Sequence, residues 1–172
     1  MIKLSLFLVM MISQDIHAGQ AHALGSLSEI ETPSGWTSTR KLLDFDLTLL
    51  SPFKEGHRAL IGFLKLGQVN LQTLPSDNSY LMDFKKEKED WIRAKGGRII
   101  HVETKKNANR IASMVITTTY ELVHLTFIEK QAYLFCDRAT VLVKGLFSGA
   151  TLDQATLFED LLNKCRCGMN GS

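Results

Sequence analysis

Three cysteines, Cys136, Cys165 and Cys167, carry the most reactive side chains in the chain. In an oxidising compartment an odd set of three implies one disulfide and one remaining thiol. Cys165-Arg166-Cys167 has a rival reading as a redox pair, because a neighbouring guanidinium lowers a thiol pKa. C-x-C is far less specific than C-x-x-C at a helix start, however, and here it falls at a helix end. Buried, unreactive thiols are the third reading. Asp44 and Asp46 share a face if their segment is a strand, and paired carboxylates can bind a hard cation or share a proton. Only two ligands are visible, and the solvated face of an edge strand accounts for both. His57, His101 and His124 are solitary. No H-x-x-x-H or H-E-x-x-H spacing argues for zinc, so His124 joins the two aspartates only as a weak polar-site candidate. The sequence has no G-x-S-x-G frame and no phosphate loop. No catalytic residue, metal or cofactor is assigned on these grounds. The mixed run Lys85-Lys86-Glu87-Lys88-Glu89-Asp90 reads as a solvated helix face.

These residues need a scaffold, and the composition supplies one. The chain has 172 residues with 45% hydrophobic and 22% charged, close to the average for a globular domain. A disordered tail, a collagen-like repeat, a coiled coil and a multi-pass membrane protein are excluded. Twenty Lys and Arg stand against eighteen Asp and Glu, a balance that gives no reason to expect nucleic acid as partner. Lys3, then the apolar run Leu4–Ile12, then small residues at Ala18 and in Ala21-His22-Ala23, form the layout of a secretory signal peptide. The apolar run, at about 1.5 Å per residue, is too short to cross a roughly 30 Å hydrocarbon core, so no permanent membrane span is expected. Cleavage after Ala18 has the more usual spacing and cleavage after Ala23 the better triplet. The expected organisation is a signal peptide over 1–23, an irregular lead-in over 24–41, one domain over 42–166 and a mobile tail over 167–172.

Within the domain, alternation over Leu42–Leu50 predicts a half-buried strand. Ala59–Leu66 and Val69–Leu74 read as paired strands around Gly67-Gln68. Ser76-Asp77-Asn78-Ser79 offers helix-capping oxygens, Leu81, Phe84, Trp91 and Ile92 form an apolar stripe, and Gly96-Gly97 ends the helix. Arg98–Thr104, Arg110–Leu122, Val123–Glu129 and Ala132–Arg138 read as successive strands, with Lys105–Asn109 and Glu129-Lys130-Gln131 as polar turns. Thr151 and Gln154 form a capping box for a last helix, whose buried stripe is Ala155, Phe158, Leu161, Leu162 and Cys165. The expected class is α+β: a mostly antiparallel sheet with helices packed on one face, a two-layer sandwich.

Val69-Asn70-Leu71-Gln72 leading into a helix, Gly97-Arg98-Ile99-Ile100 after it, Tyr133-Leu134-Phe135-Cys136 and a C-terminal helix together resemble the PsbP-like superfamily. That superfamily includes photosystem extrinsic proteins and bacterial periplasmic DcrB-like proteins. The resemblance spans roughly residues 42–165 and lies in element order and a few loose positions. Ser34-Gly35-Trp36 is similar to the family's Gly-Trp phrase, although polar residues follow it. Thr140–Gly149 departs from the family, being longer than its short link to the last helix. The family shares no catalytic residues, so the resemblance implies a non-enzymatic module that assists or joins a protein assembly.

In such a fold the last helix packs over the sheet, which makes Cys136 and Cys165 the disulfide candidates and Cys167 the remaining free or redox thiol. That bridge would close a loop of about 30 residues, worth on the order of 3 kcal/mol. The reading that follows is a secreted or periplasmic binding or assembly module whose partner is another envelope or secreted protein, not nucleic acid. Its contact surface would be an open sheet face or an edge strand. The alternatives are a small envelope enzyme or thiol-redox protein using Asp44, Asp46, His124, Cys165 and Cys167, and a small-ligand carrier with a pocket at Phe158 and Leu162.

Overall fold

Period-two burial organises the chain. In Ala139–Ser148 the side chains of Val141, Val143 and Phe147 are buried while Leu142, Lys144 and Leu146 are half-buried, the signature of a strand with one face fully in the core. The computed structural model describes residues 21–24, 27–66, 78–94, 96–106, 108–109, 111–122, 124–136 and 139–168. In chain order the elements are β1 (Ala21–Leu24), β2 (Leu27–Glu31), β3 (Thr37–Leu42), β4 (Phe45–Leu50), β5 (Leu60–Lys65), α1 (Asn78–Arg93), β6 (Arg98–Lys106), β7 (Ala112–Leu122), β8 (Leu125–Cys136) and β9 (Ala139–Ser148). A 3-10 turn (Gly149–Gln154), α2 (Ala155–Lys164) and β10 (Arg166–Cys167) complete it. A seven-stranded sheet runs β3-β4-β5-β9-β8-β7-β6, and a three-stranded sheet runs β1-β2-β10. All pairings are antiparallel. Among the described residues no helix is long and apolar enough to cross a membrane.

Register assigns the faces. Leu47, Phe63, Val143, Ala132 and Val115 pair in one row across β4, β5, β9, β8 and β7, and directly paired residues project to the same side. That row joins Phe158, Leu161 and Leu162 of α2 and Leu24, Leu27 and Ile30 of the small sheet in the main core. The opposite face carries Ile116, Gln131 and Lys144 in one row. There Lys88 of α1 feels the charges of Glu129 and Lys144, and Ile92 of α1 lies against the backbone beside Tyr120 at Gly97. The two helices therefore take opposite faces of the large sheet, which corrects the expectation that both pack on one side. An apolar stripe requires a helix to bury a face but does not say which side of a sheet receives it.

The helix α1 ends as its sequence predicts. Gly96 sits at φ 70°, its N–H donates to Arg93 O at 2.9 Å and the Gly97 N–H donates to Ile92 O at 2.9 Å, the two bonds of a Schellman cap. At Gly97 a Cβ would stand 2.6 Å from Thr119 O, so glycine there permits the close approach of this cap to β7.

Several boundaries differ from expectation. The segment 24–41 is not irregular: it holds β2 and β3, and β1 begins before it. The strand expected from Leu42 starts only at Phe45, because Leu42 ends β3 and Leu43 and Asp44 take positive φ in the two-residue hairpin turn between them. Glu129-Lys130-Gln131 is not a turn but the middle of the continuous β8; each of its polar side chains finds a partner, so the strand need not break. The reversal falls instead at His124, φ 63°. Thr140–Gly149, expected as a link, is mostly β9, which is central to the sheet. The capping box expected of Thr151 and Gln154 is not formed: Gln154 stands before α2 without a side-chain capping bond, and Thr151 serves the preceding 3-10 turn instead, its Oγ1 accepting the Ser148 N–H at 2.9 Å. The expected strand Val69–Leu74 lies outside the described residues.

Candidate functional site

The main core ends at the sulfur atoms. Cys136 closes β8 and Cys167 lies in β10; they form the disulfide, with Cα atoms 5.6 Å apart. The expected Cys136–Cys165 pairing is thereby corrected, and Cys167 is neither a remaining thiol nor part of a mobile tail. The helical stripe placed Cys165 correctly on the inner face, where it is 1% exposed. It follows the last turn of α2, its N–H donating to Leu161 O at 3.0 Å, and the chain then becomes extended (φ −55°, ψ 137°). In extended chain, residues two apart share a side, so Cys167 meets the end of β8 in its place. Burial pushes the Cys165 thiol up to about 12, the reverse of what a nucleophilic thiol requires. Asn109 Nδ2 holds the helix end by donating to the carbonyls of Asn163, Lys164 and Cys165 at 3.3, 3.3 and 3.0 Å. The two cysteines of C-x-C thus have separate roles, one in packing and one in the bridge.

The polar-site candidates do not converge. Asp46 Oδ1 takes the Lys41 ammonium at 2.5 Å and Oδ2 accepts the Lys65 N–H at 2.9 Å. The Lys41 hydrogen bond holds its carboxyl below the usual range. Asp44 lies in the β3–β4 turn and so does not share a strand face with it. His124 is exposed in the β7–β8 turn, at the other end of the sheet. Among the described residues no group of three or more His, Cys, Asp and Glu is placed to hold a metal.

The fold assembles two polar clusters from residues far apart in the sequence. On the α1 face, Glu129 is 3% exposed. It takes Lys144 Nζ at 2.9 Å on Oε2, Tyr120 OH at 3.5 Å on the same oxygen, and Gln131 Nε2 on Oε1. Tyr133 OH donates to Gln131 Oε1 at 3.5 Å. Burial first, then the Glu129 charge, pushes the Tyr120 phenol up to about 12, and burial lowers the Lys88 ammonium pKa. The carboxylate is engaged by an ammonium, an amide and a phenol, an arrangement that satisfies a buried charge. The clue was the polar pair Glu129 and Gln131 at alternate positions between Phe127 and Tyr133, all on one strand face.

On the α2 face, Glu159 receives Lys105 Nζ at 2.5 Å and Lys130 Nζ at 3.0 Å. Burial would raise its carboxyl, but the two lysine hydrogen bonds outweigh that and the net shift is downward. Phe158 and Leu162, the expected pocket lining, are fully buried instead. A Cβ at Gly145 would stand 2.7 Å from both the Phe147 and Phe158 rings, so this interface is tightly packed.

Among the described residues, exposed large apolar side chains include Leu43 in the β3–β4 turn, Trp91 on α1 and Ile100 on β6, and a set of four, Phe53, Leu122, Leu125 and Leu152, between 40% and 63% exposed. The loop after β4, the β7–β8 turn and the 3-10 turn after β9 all lie at one end of the large sheet, since Leu60 pairs with Leu146 and Phe127 with Ser148. Lys54 Nζ–Asp153 Oδ2 at 3.0 Å ties the Phe53 loop to the turn bearing Leu152, and the Arg58 guanidinium lies 4.8 Å over the Phe53 ring. Pro52-Phe53, a large apolar residue inside a turn, was the available signal.

No family model and no curated protein matches the chain. Solved structures do. Cyanobacterial PsbP (CyanoP) from Synechocystis is similar at 11% identity, covering 85% of this chain and 95% of that one with a TM-score of 0.53. LpqN of Mycobacterium tuberculosis, described as involved in cell envelope biogenesis, is similar at 11% identity over 81% and 80% with a TM-score of 0.55. A Pseudomonas aeruginosa protein of unknown function, described as a putative regulator, is similar at 9% identity over 89% and 98% with a TM-score of 0.52. The class is α+β, dominated by an antiparallel sheet. More particularly, the fold is PsbP-like.

Proposed function

We propose that the chain is an exported, non-enzymatic binding module that joins another envelope or secreted protein through the apolar end of its large sheet. The observation that carries this reading is the exposed set Phe53, Leu122, Leu125 and Leu152 gathered at that end. Grouped exposed apolar side chains beside polar residues mark contact sites. The secretory layout of the first 23 residues and the Cys136–Cys167 bridge support an oxidising compartment. The engaged carboxylates of Asp46, Glu129 and Glu159 and the buried Cys165 thiol favour contact over catalysis. The test is photo-crosslinking in the native host with a benzophenone amino acid at Leu122, and at Lys86 on α1 as the control. The expected result is one discrete adduct from Leu122, absent from Lys86 and lost when Leu152→Asp is added. Matching adducts from both positions, or none from Leu122, overturn the reading.

A further inference from the structure

The targeting segment contains two exits, and the fold bears on which of them is used. Ala21, His22 and Ala23, the better small-residue triplet, are also the first three residues of β1. Ala21 pairs with Glu31, His22 with Ile30 and Leu24 with Leu27 of β2. His22 Nε2 lies 3.0 Å from Thr32 Oγ1, and Thr32 is itself buried. Leu24 is a buried member of the main core. Cleavage after Ala23 would therefore remove all of β1 except Leu24.

Two costs follow. The first concerns backbone: β10 pairs with β2 only at Leu27 and Ser28, so without β1 the strand keeps two paired positions, and its freed N–H and C=O groups would need new partners. The second concerns charge: the new α-ammonium would stand on Leu24, at the border of an apolar core, where an ion without a partner is unfavourable. Cleavage after Ala18 avoids both. The mature chain then begins at Gly19, two residues ahead of the exposed Ala21, so β1 is kept whole and Leu24 carries no charge. The distance from the apolar run favours the same bond, since Ile12 and Ala18 are six residues apart.

We infer that the export peptidase cuts the Ala18–Gly19 peptide bond, and that Ala21-His22-Ala23 is kept as the edge strand of the small sheet rather than spent as a recognition triplet. The reaction is hydrolysis: water adds across the amide, leaving a carboxylate on Ala18 and an ammonium on Gly19. This inference rests on the export reading above, and the measurement separates the two. The full chain is expressed in an export-competent host and the intact mass of the exported protein is read, together with Ala18→Leu and Ala23→Val. A wild-type start at Gly19, lost in Ala18→Leu and unchanged in Ala23→Val, is the expected result. A start at Leu24, or anywhere inside β1, overturns this inference while leaving export in place. An uncleaved chain starting at Met1 overturns the export reading and this inference with it.

Discussion

Breaking the Cys136–Cys167 bridge tests what holds β10 against the end of β8. The bridge spans a sequence separation of 31. The chain-entropy relation then gives about 12 cal/mol/K of denatured-state entropy removed, or about 3.7 kcal/mol at 25 °C. Native-state contacts add to this, because β10 has only two pairings with β2 and the bridge is its covalent hold on β8. For a chain of this size 1 kcal/mol moves Tm by roughly 2–4 °C, so Cys136→Ser and Cys167→Ser should each lower Tm by about 7–15 °C. Reducing agent should shift the wild type by a similar amount and leave both variants unmoved. Cys165→Ala is the discriminating control. It deletes one buried sulfur and should cost about 1–2 kcal/mol as a small cavity, with the disulfide intact. Thermal melts with and without reductant, paired with alkylation mass mapping, read all three variants. The reasoning is refuted if Cys165→Ala abolishes the disulfide, or if Cys167→Ser keeps the wild-type Tm because Cys136 has paired with Cys165.

Three further perturbations probe the buried groups. Lys144→Met leaves the 3%-exposed Glu129 carboxylate without its ammonium and should cost about 2–4 kcal/mol in chemical denaturation; adding Glu129→Gln should restore part of it, since the loss comes mainly from a stranded charge. The Glu159 carboxyl is lowered from 4.5 in the fold, so its stabilisation is complete above that unfolded value and disappears as pH falls through the lower folded one. The Tm difference between wild type and Glu159→Gln should therefore be constant from pH 7 to about 5 and shrink on further acidification; a difference that grows as pH falls would contradict the ion-pair geometry. Gly145→Ala places a methyl 2.7 Å from the Phe147 and Phe158 rings and should destabilise by about 1–3 kcal/mol through overpacking, whereas a neutral result would mean that the α2 interface has free volume.

What could be read in the sequence follows from which interactions are local. The α1 cap at Gly96-Gly97 and the stripe Ala155, Phe158, Leu161, Leu162 and Cys165 depend on neighbours within a few residues, and both stand as expected. The misreadings occur where a partner lies far along the chain. Glu129-Lys130-Gln131 reads as a turn because three consecutive polar residues have no local reason to lie in a strand. Its reason is Lys144 from β9 on one face and Glu159 from α2 on the other. The sulfur pairing follows the same logic. The helical period and a last helix packed over the sheet favour Cys165, but the period stops at Cys165, and the two extended residues after it belong to a strand whose partner is β2, far back along the chain. The strands within 24–41 are hidden for the complementary reason: β2 acquires its core contacts from α2 and β10, so Leu27 and Ile30 show no periodic signal long enough to read alone. The small sheet is thus built from both chain ends, β1 and β2 from the first and β10 from the last. Such a sheet can close only after β10 has been made. Its loop-closure entropy is the largest in the fold, and the Cys136–Cys167 bridge acts on it indirectly: by tying β10 to the end of β8 over a separation of only 31, it keeps the strand in place for its two distant pairings with β2.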